Sequence, residues 1–181
     1  SKGGVRSVIL PHHKNAIVAS LDESAQEVRQ MADYCQDENL LTCYLGTKEQ
    51  LRDVHSIVAC KIAGLTYEDF RKKYKEEEAQ LNSGASITPV YGVMRQRAKI
   101  TLFATLYGAA AMKIAEGLGI TETDAQSYID AIYDNFPRAR EWKELSESMA
   151  RTQGFVPIHG GTVRHLAPLI NSEDTYTASK A

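Results

Sequence analysis

The chain has 181 residues, 43% hydrophobic and 24% charged, which suits one medium domain or two small lobes with a real core. A net charge of −2 excludes the global basic field of a non-specific nucleic-acid binder and leaves room only for a local basic patch. Cys35, Cys43 and Cys60 form no C-x-x-C pair, which argues for reduced thiols and against a disulfide framework or zinc site. No apolar run approaches the ~18 residues of a membrane span. No signal-peptide pattern opens the chain either, so a cytoplasmic protein without membrane partners is expected.

Residues 1–15 mix glycine, proline and basic residues, as a lead-in loop or short edge strand does. "AIVASLD" (16–22) reads as a buried strand with Asp22 at its C-terminal tip. From Ser24 the pattern turns helical, with Val28, Met31, Ala32 and Cys35 at helical intervals. A short helix through "NLLTCYLG" is expected to end at Gly46, and "RDVHSIVACKIAG" is helical up to Gly64. "TYEDFRKKYKEEEAQLNSG" sets acids and bases four apart and reads as a solvated helix whose exposed face carries no chemistry. After the stretch "RQRAKITLFATLYG" (95–108), "TETDAQSYIDAIYDNFP" starts on a Thr121 to Asp124 capping signal and stops at Pro137. "RAREWKELSESMARTQ" is a further helix. "GFVPIHGGTVRHLAP" reads as a β-hairpin around Gly160 and Gly161. The whole is mostly helical with a few strands at each end, an α+β fold.

Within residues 95–108, Arg95, Lys99, Phe103 and Tyr107 recur at every fourth position. Four helical residues rotate about 400° and rise about 6 Å, so these side chains form one ridge of roughly 18 Å. Two cations are followed by two rings, the polarity of a nucleoside triphosphate. Arg and Lys offer charge-assisted hydrogen bonds to phosphate, and a ring offers a stacking surface. The same spacing also suits a buried helix whose aromatic residues are core and whose cations snorkel. Spacing alone leaves both readings open.

R-x-x-x-K-x-x-x-F-x-x-x-Y-G resembles the fingers helix of family A DNA polymerases, the bacterial DNA polymerase I enzymes and their phage relatives. "DESAQEVR" (22–29) resembles that family's first palm motif, D-Y-S-Q-I-E-L-R, and "DVHS" (53–56) its D-[IV]-H segment. "YIDAIYDNFPRAREW" and "ARTQGFV" resemble Y-I-x-x-Y-F-x-x-Y-P and A-x-x-x-G-Y-V. The five segments stand in the family order and span nearly the full chain. The resemblance implies that Asp22, helped by the Glu23 backbone carbonyl, holds Mg²⁺ in a two-metal site. It places Glu27 under the incoming sugar, where it blocks a 2′ hydroxyl. Arg95, Lys99 and His55 would bind the triphosphate, and Lys99 would also protonate the departing pyrophosphate. Tyr107, before Gly108, would sit at the fingers pivot near the template base. Glu27 with Phe103 resembles the DNA enzyme; the related single-subunit RNA polymerases carry a small residue and a methionine there.

The pattern also has departures. Glu23, Ala25 and Gln26 replace Tyr, Gln and Ile, and Leu102 and Ala104 stand where Asn and Gly are usual. "GGTVR" leaves Arg164 two positions from the family's minor-groove arginines. His12, His13, His159 and His165 match no motif position and are expected to be structural or solvated. These changes suggest a divergent, phage-like relative. The H-D-E motif, which carries the second metal-binding aspartate, is absent from the 181 residues. The expected organisation is therefore palm at 1–45, fingers at 46–150, and a palm-side hairpin and tail at 151–181. Such a chain is either a fragment or one subunit of a split polymerase, complemented by a polypeptide with the thumb and the H-D-E aspartate. Its expected partners are primer-template DNA and deoxynucleoside triphosphates. The alternative is a catalytically inactive, polymerase-derived module that binds nucleotide or DNA.

Overall fold

Helices form where apolar residues recur at three- and four-residue intervals, and they carry most of the chain. The computed structural model describes residues 13, 15–17, 19, 23 and 25–171. The strand expected at 16–22 falls mostly outside this set, as do Asp22 and the tail from 172. Helix α1 (Gln26–Cys35) buries Val28, Ala32 and Cys35 on one face. Tyr34 on the same helix stacks on Trp142 at 5.4 Å and so ties α1 to α8 (Pro137–Gln153).

Helix α2 (Glu38–Leu41) is shorter than expected, because the chain turns away after Leu41 and reaches Gly46 without regular structure. Its N-cap, Asp37, is fully buried and serves two helices. One oxygen accepts from Leu40 N at 3.1 Å, the other from Arg138 N at 3.0 Å in the first turn of α8. Phe136, the N-cap of α8, has no side-chain acceptor of its own, so Asp37 satisfies a donor that would otherwise be orphaned.

Helix α3 (Val54–Ile62) buries Val54, His55, Ser56, Val58, Ala59 and Cys60. A helix buried on nearly every side is a core element, and α3 packs against α4 (Tyr67–Asn82), α5 (Tyr91–Leu106) and α7 (Glu122–Asn135). The main core gathers Val28, Leu40, Val58, Phe70, Leu102, Ile132 and Phe136, and all of these but Val58 and Phe70 line an apolar cavity of about 40 Å³. The three cysteines are free and buried, and burial pushes the Cys43 thiol up to about 12.

Helix α6 (Ala111–Leu118) was not anticipated from the sequence. It is only eight residues long, about two turns, so its apolar stripe is too short to stand out as a periodic pattern. It buries Ala111, Ile114 and Ala115 against Ala125 and Ile129 of α7, a second, smaller core. As expected, α7 starts on Thr121, whose Oγ1 accepts from Asp124 N at 3.0 Å. Thr121→Ala should destabilise the chain by about 1 kcal/mol, the usual worth of an N-cap hydroxyl, read as a shifted urea midpoint.

The expected hairpin is present. Strand β1 (Phe155–Pro157) pairs antiparallel with β2 (Val163–His165), in register Phe155↔His165 and Pro157↔Val163. A turn over His159–Gly161 connects them, followed by the short helix α9 (Ala167–Ile170). Gly154, between α8 and β1, has φ 74° and accepts at its carbonyl from Leu166 N (2.7 Å) and Ala167 N (2.9 Å). A Cβ there would meet Ala167 Cβ at 2.8 Å, so the hairpin can close on the helix only over a glycine. The fold is α+β, with its sheet confined to the C-terminal end among the described residues. No helix among them is long and apolar enough to cross a membrane.

Candidate functional site

Ala98, Thr101, Leu102 and Thr105 of α5 are buried and face the core. That choice sets the ridge Arg95, Lys99, Phe103 and Tyr107 on the flank of the helix. Arg95 and Phe103 are partly buried, Lys99 is exposed, and Tyr107 is 76% exposed. The buried-helix reading of this spacing holds for Phe103, which packs on the main core, and fails at Tyr107, which is not a core residue. Phe103 leans on the His55 ring of α3, with centroids 6.3 Å apart.

Asp53, the N-cap of α3, organises the cationic end of the ridge. It accepts Ser56 N at 3.2 Å as a helix cap and also the Ser56 hydroxyl. Its two oxygens take a bidentate fork from Arg95, Nε to Oδ2 at 2.7 Å and Nη2 to Oδ1 at 3.0 Å. Arg71 of α4 reaches the same Oδ2 with Nη1 at 3.5 Å, and Asp53 N donates to Tyr67 Oη at 2.9 Å. Burial alone would raise the Asp53 pKa. Contacts with His55, Arg95 and Ser56 outweigh it and hold the carboxyl well below the usual range. The same pairing raises the Arg95 guanidinium above its ordinary value.

His55 Nδ1 lies 3.3 Å from Asp53 Oδ1, near enough to interact with its charge. Neither ring nitrogen has a hydrogen-bond partner among the described residues, and both are shielded from solvent. Buried polar atoms normally find partners, so this imidazole is an unfilled acceptor or donor beneath the ridge.

The α4 helix departs from the solvated face expected of its charge pattern. Phe70 is fully buried and meets Tyr91 edge-on at 5.7 Å. The Tyr74 ring lies under both the Arg71 and the Arg95 guanidinium, 5.2 and 5.6 Å from its centroid. Glu77 is buried, and its carboxylate accepts the first amides of α5: Val90 N (2.6 Å), Tyr91 N (2.9 Å) and Gly92 N (2.7 Å). Burial opposes its ionisation, but these three bonds lower its pKa. Positions 70, 71, 74 and 77 share one helical face; three of the four are polar, so hydrophobic periodicity does not reveal it.

Glu27, in the first turn of α1, is exposed and makes no hydrogen bond or ion pair among the described residues. Its neighbour Val28 lines the core cavity together with Leu102 and Thr105 of α5, which sets Glu27 at the edge of that junction. Ala25 enters α1 at φ 53°, a left-handed conformation that costs a non-glycine residue about 1 kcal/mol. Glu23 is exposed. No three metal-ligating side chains come together among the described residues, and Asp22 lies outside them. Arg164, on β2, is exposed. The sequence reading gave no role to Arg71, Tyr74 or Glu77, and named Asp53 only as part of the D-[IV]-H segment. An aspartate just before a helical run is a cap signature that could have drawn attention to Asp53.

A family model described as DNA polymerase family A matches residues 1–181. The thermostable DNA polymerase I of Thermus aquaticus is 28% identical over 153 residues, covering 84% of this chain and 16% of that protein. DNA polymerase I of Streptococcus pneumoniae is 25% identical over 170 residues, covering 94% and 17%. That of Pseudomonas aeruginosa is 29% identical over 153 residues, covering 84% and 14%. The chain thus spans about a sixth of the length of these relatives. The polymerase domain of Pol1 from M. smegmatis, solved with DNA primer-template and dNTP, superposes at a TM-score of 0.60 with 22% identity. The match covers 88% of this chain and 24% of that one.

Proposed function

This chain belongs to DNA polymerase family A, and from that premise we propose that it supplies the incoming-nucleotide wall of a template-directed DNA polymerase. In this reading residues 46–150 are fingers, and 1–45 and 151–181 contribute to the palm. Lys99 and Arg95 bind the triphosphate, and Lys99 gives a proton to the departing pyrophosphate, a task suited to a compact ammonium. His55 joins them as a phosphate ligand once its ring, shielded from solvent at both nitrogens, turns toward the ridge. Phe103 and Tyr107 present ring faces toward the base, and Glu27 excludes a 2′ hydroxyl. Asp22 and the Glu23 carbonyl are the chain's proposed share of a Mg²⁺ site completed by the H-D-E aspartate elsewhere, on a longer form of this polypeptide or on a partner. Primer-template DNA and deoxynucleoside triphosphate come to this chain by analogy with the ligands of the M. smegmatis domain.

One observation carries this reading. The ridge is turned outward at Lys99 and Tyr107 while its neighbours on the same helix fill the core, and its cationic end is held in place by Asp53. Purified chain titrated with a fluorescent deoxyadenosine triphosphate should bind it saturably. Lys99→Ala should weaken that binding about tenfold, the worth of one charge-assisted contact. Absence of saturable binding by the unaltered chain would overturn the proposal. Alone, the chain should extend no primer; extension that Asp22→Ala abolishes would overturn the shared metal site.

A further inference from the structure

We propose that Arg71 of α4 is an additional phosphate-binding residue of this site, which Asp53 stations beside Arg95 to engage the terminal phosphate of a nucleoside triphosphate. The inference rests on the nucleotide reading above and adds a cation that the α5 spacing does not contain.

Two guanidiniums converge on one carboxylate oxygen, Arg95 at 2.7 Å and Arg71 at 3.5 Å from Asp53 Oδ2. That oxygen also takes both Ser56 donors, more than its lone pairs can serve well. Arg71 holds the weakest place. Its other contact, to Ser56 Oγ, is 3.3 Å, and no further hydrogen bond engages it among the described residues. Its side chain is still 27% exposed, so unused donors remain within reach of a ligand. Two positive groups therefore share one negative partner, over a single Tyr74 ring. Exposed Glu78, held by Tyr74 Oη at 3.5 Å, adds only a solvent-screened negative charge. The arrangement has an unmet demand for a second anion with several oxygens, which a phosphate satisfies through the guanidinium fork.

Direction along α5 identifies which phosphate. The rings lie at the C-terminal end of the ridge and Arg95 at the far end, so a nucleotide lying along it brings its last phosphate to Arg95 and Arg71. A diphosphate lying the same way ends one phosphate short of that pair.

The test compares fluorescent deoxyadenosine tri- and diphosphate binding by the unaltered chain, Arg71→Gln, Arg71→Lys, and Arg52→Gln as a surface control. Arg71→Gln should weaken triphosphate binding about fivefold and change diphosphate binding less than twofold. Arg71→Lys, which keeps the charge, should restore most of the triphosphate preference, and Arg52→Gln should change neither. Equal losses for both nucleotides, no loss, or no rescue by lysine would overturn the role of Arg71 and leave the nucleotide reading standing. If the unaltered chain binds neither nucleotide, the nucleotide reading itself falls. Thermal melting of each variant is recorded alongside; should Arg71→Gln unfold, Arg71→Met, which keeps the apolar stem over Tyr74, takes its place, with the same roughly fivefold loss of triphosphate binding expected and an equal loss for both nucleotides, or no loss, overturning the role of Arg71.

Discussion

Asp53→Ala should lower the stability of the chain by about 3 kcal/mol, the lower end of the range for breaking a buried charge pair. Three losses combine. The first turn of α3 loses its cap, worth about 1 kcal/mol. Arg95 loses a bidentate partner, and two largely buried guanidiniums are left side by side without a counter-charge. For a chain of this size the change should appear as a fall in melting temperature of about 6–12 °C. Asp53→Asn keeps an oxygen that can cap the helix but removes the charge, so it should lose about half as much. An alanine variant that melts with the parent chain would show that Arg95 is not held by this carboxylate.

The pH dependence follows from the direction of the shift. The Asp53 carboxyl is held below its usual range in the folded chain, so its contribution is fully present above the unfolded pKa of about 3.9. It is lost progressively as pH falls from there through the lower, folded value. The stability difference between the unaltered chain and Asp53→Asn should therefore be constant from about pH 7 down to about pH 5, and shrink only below about pH 4. A difference that shrinks already between about pH 7 and 6 would assign the effect to a group other than this carboxylate.

Much of the helical order was legible because local signals agreed with the tertiary outcome. Thr121 caps α7, Pro137 opens α8, and the paired glycines turn the hairpin, each through its nearest neighbours in sequence. The ridge on α5 was legible as a spacing, but which residues faced outward depended on α3 and α7 packing against the other side. Asp53 at the start of α3 and Arg71, Tyr74 and Glu77 on α4 make polar contacts that reach α5, with partners up to 42 residues apart. Hydrophobic periodicity cannot report such contacts, and the charge pattern of α4 pointed the other way. The run Glu76, Glu77, Glu78 shows why: the three acids are equivalent in sequence, and only the rotation of α4 turns the middle one inward while its neighbours stay exposed.

That rotation makes a specific expectation for Glu77. Helix α5 begins at Val90, whose apolar side chain cannot cap it, and its first turn contains no acid. The Glu77 carboxylate fills that place from α4, taking three amide protons at the positive end of the α5 dipole. Gly92 belongs to the same device. A Cβ there would lie 3.0 Å from Glu77 Oε1, so the glycine, unfavourable in a helix by about 1 kcal/mol against alanine, lets the carboxylate approach. Glu77→Ala should cost about 2 kcal/mol, the upper end for a cap, because the three amides become orphaned together. Glu77→Gln should fall between, since its amide nitrogen turns a donor toward donors. Amide hydrogen exchange should quicken at residues 90–92 before it changes at Arg95 or Phe103, because the loss frays the helix from its first turn. Since α5 carries the whole ridge, fraying there should also weaken nucleotide binding by both variants in proportion to their loss of protection. If exchange at Val90 and Gly92 stays as slow in Glu77→Ala as in the parent chain, α5 is anchored by its packing on α3, and the cap from α4 is incidental.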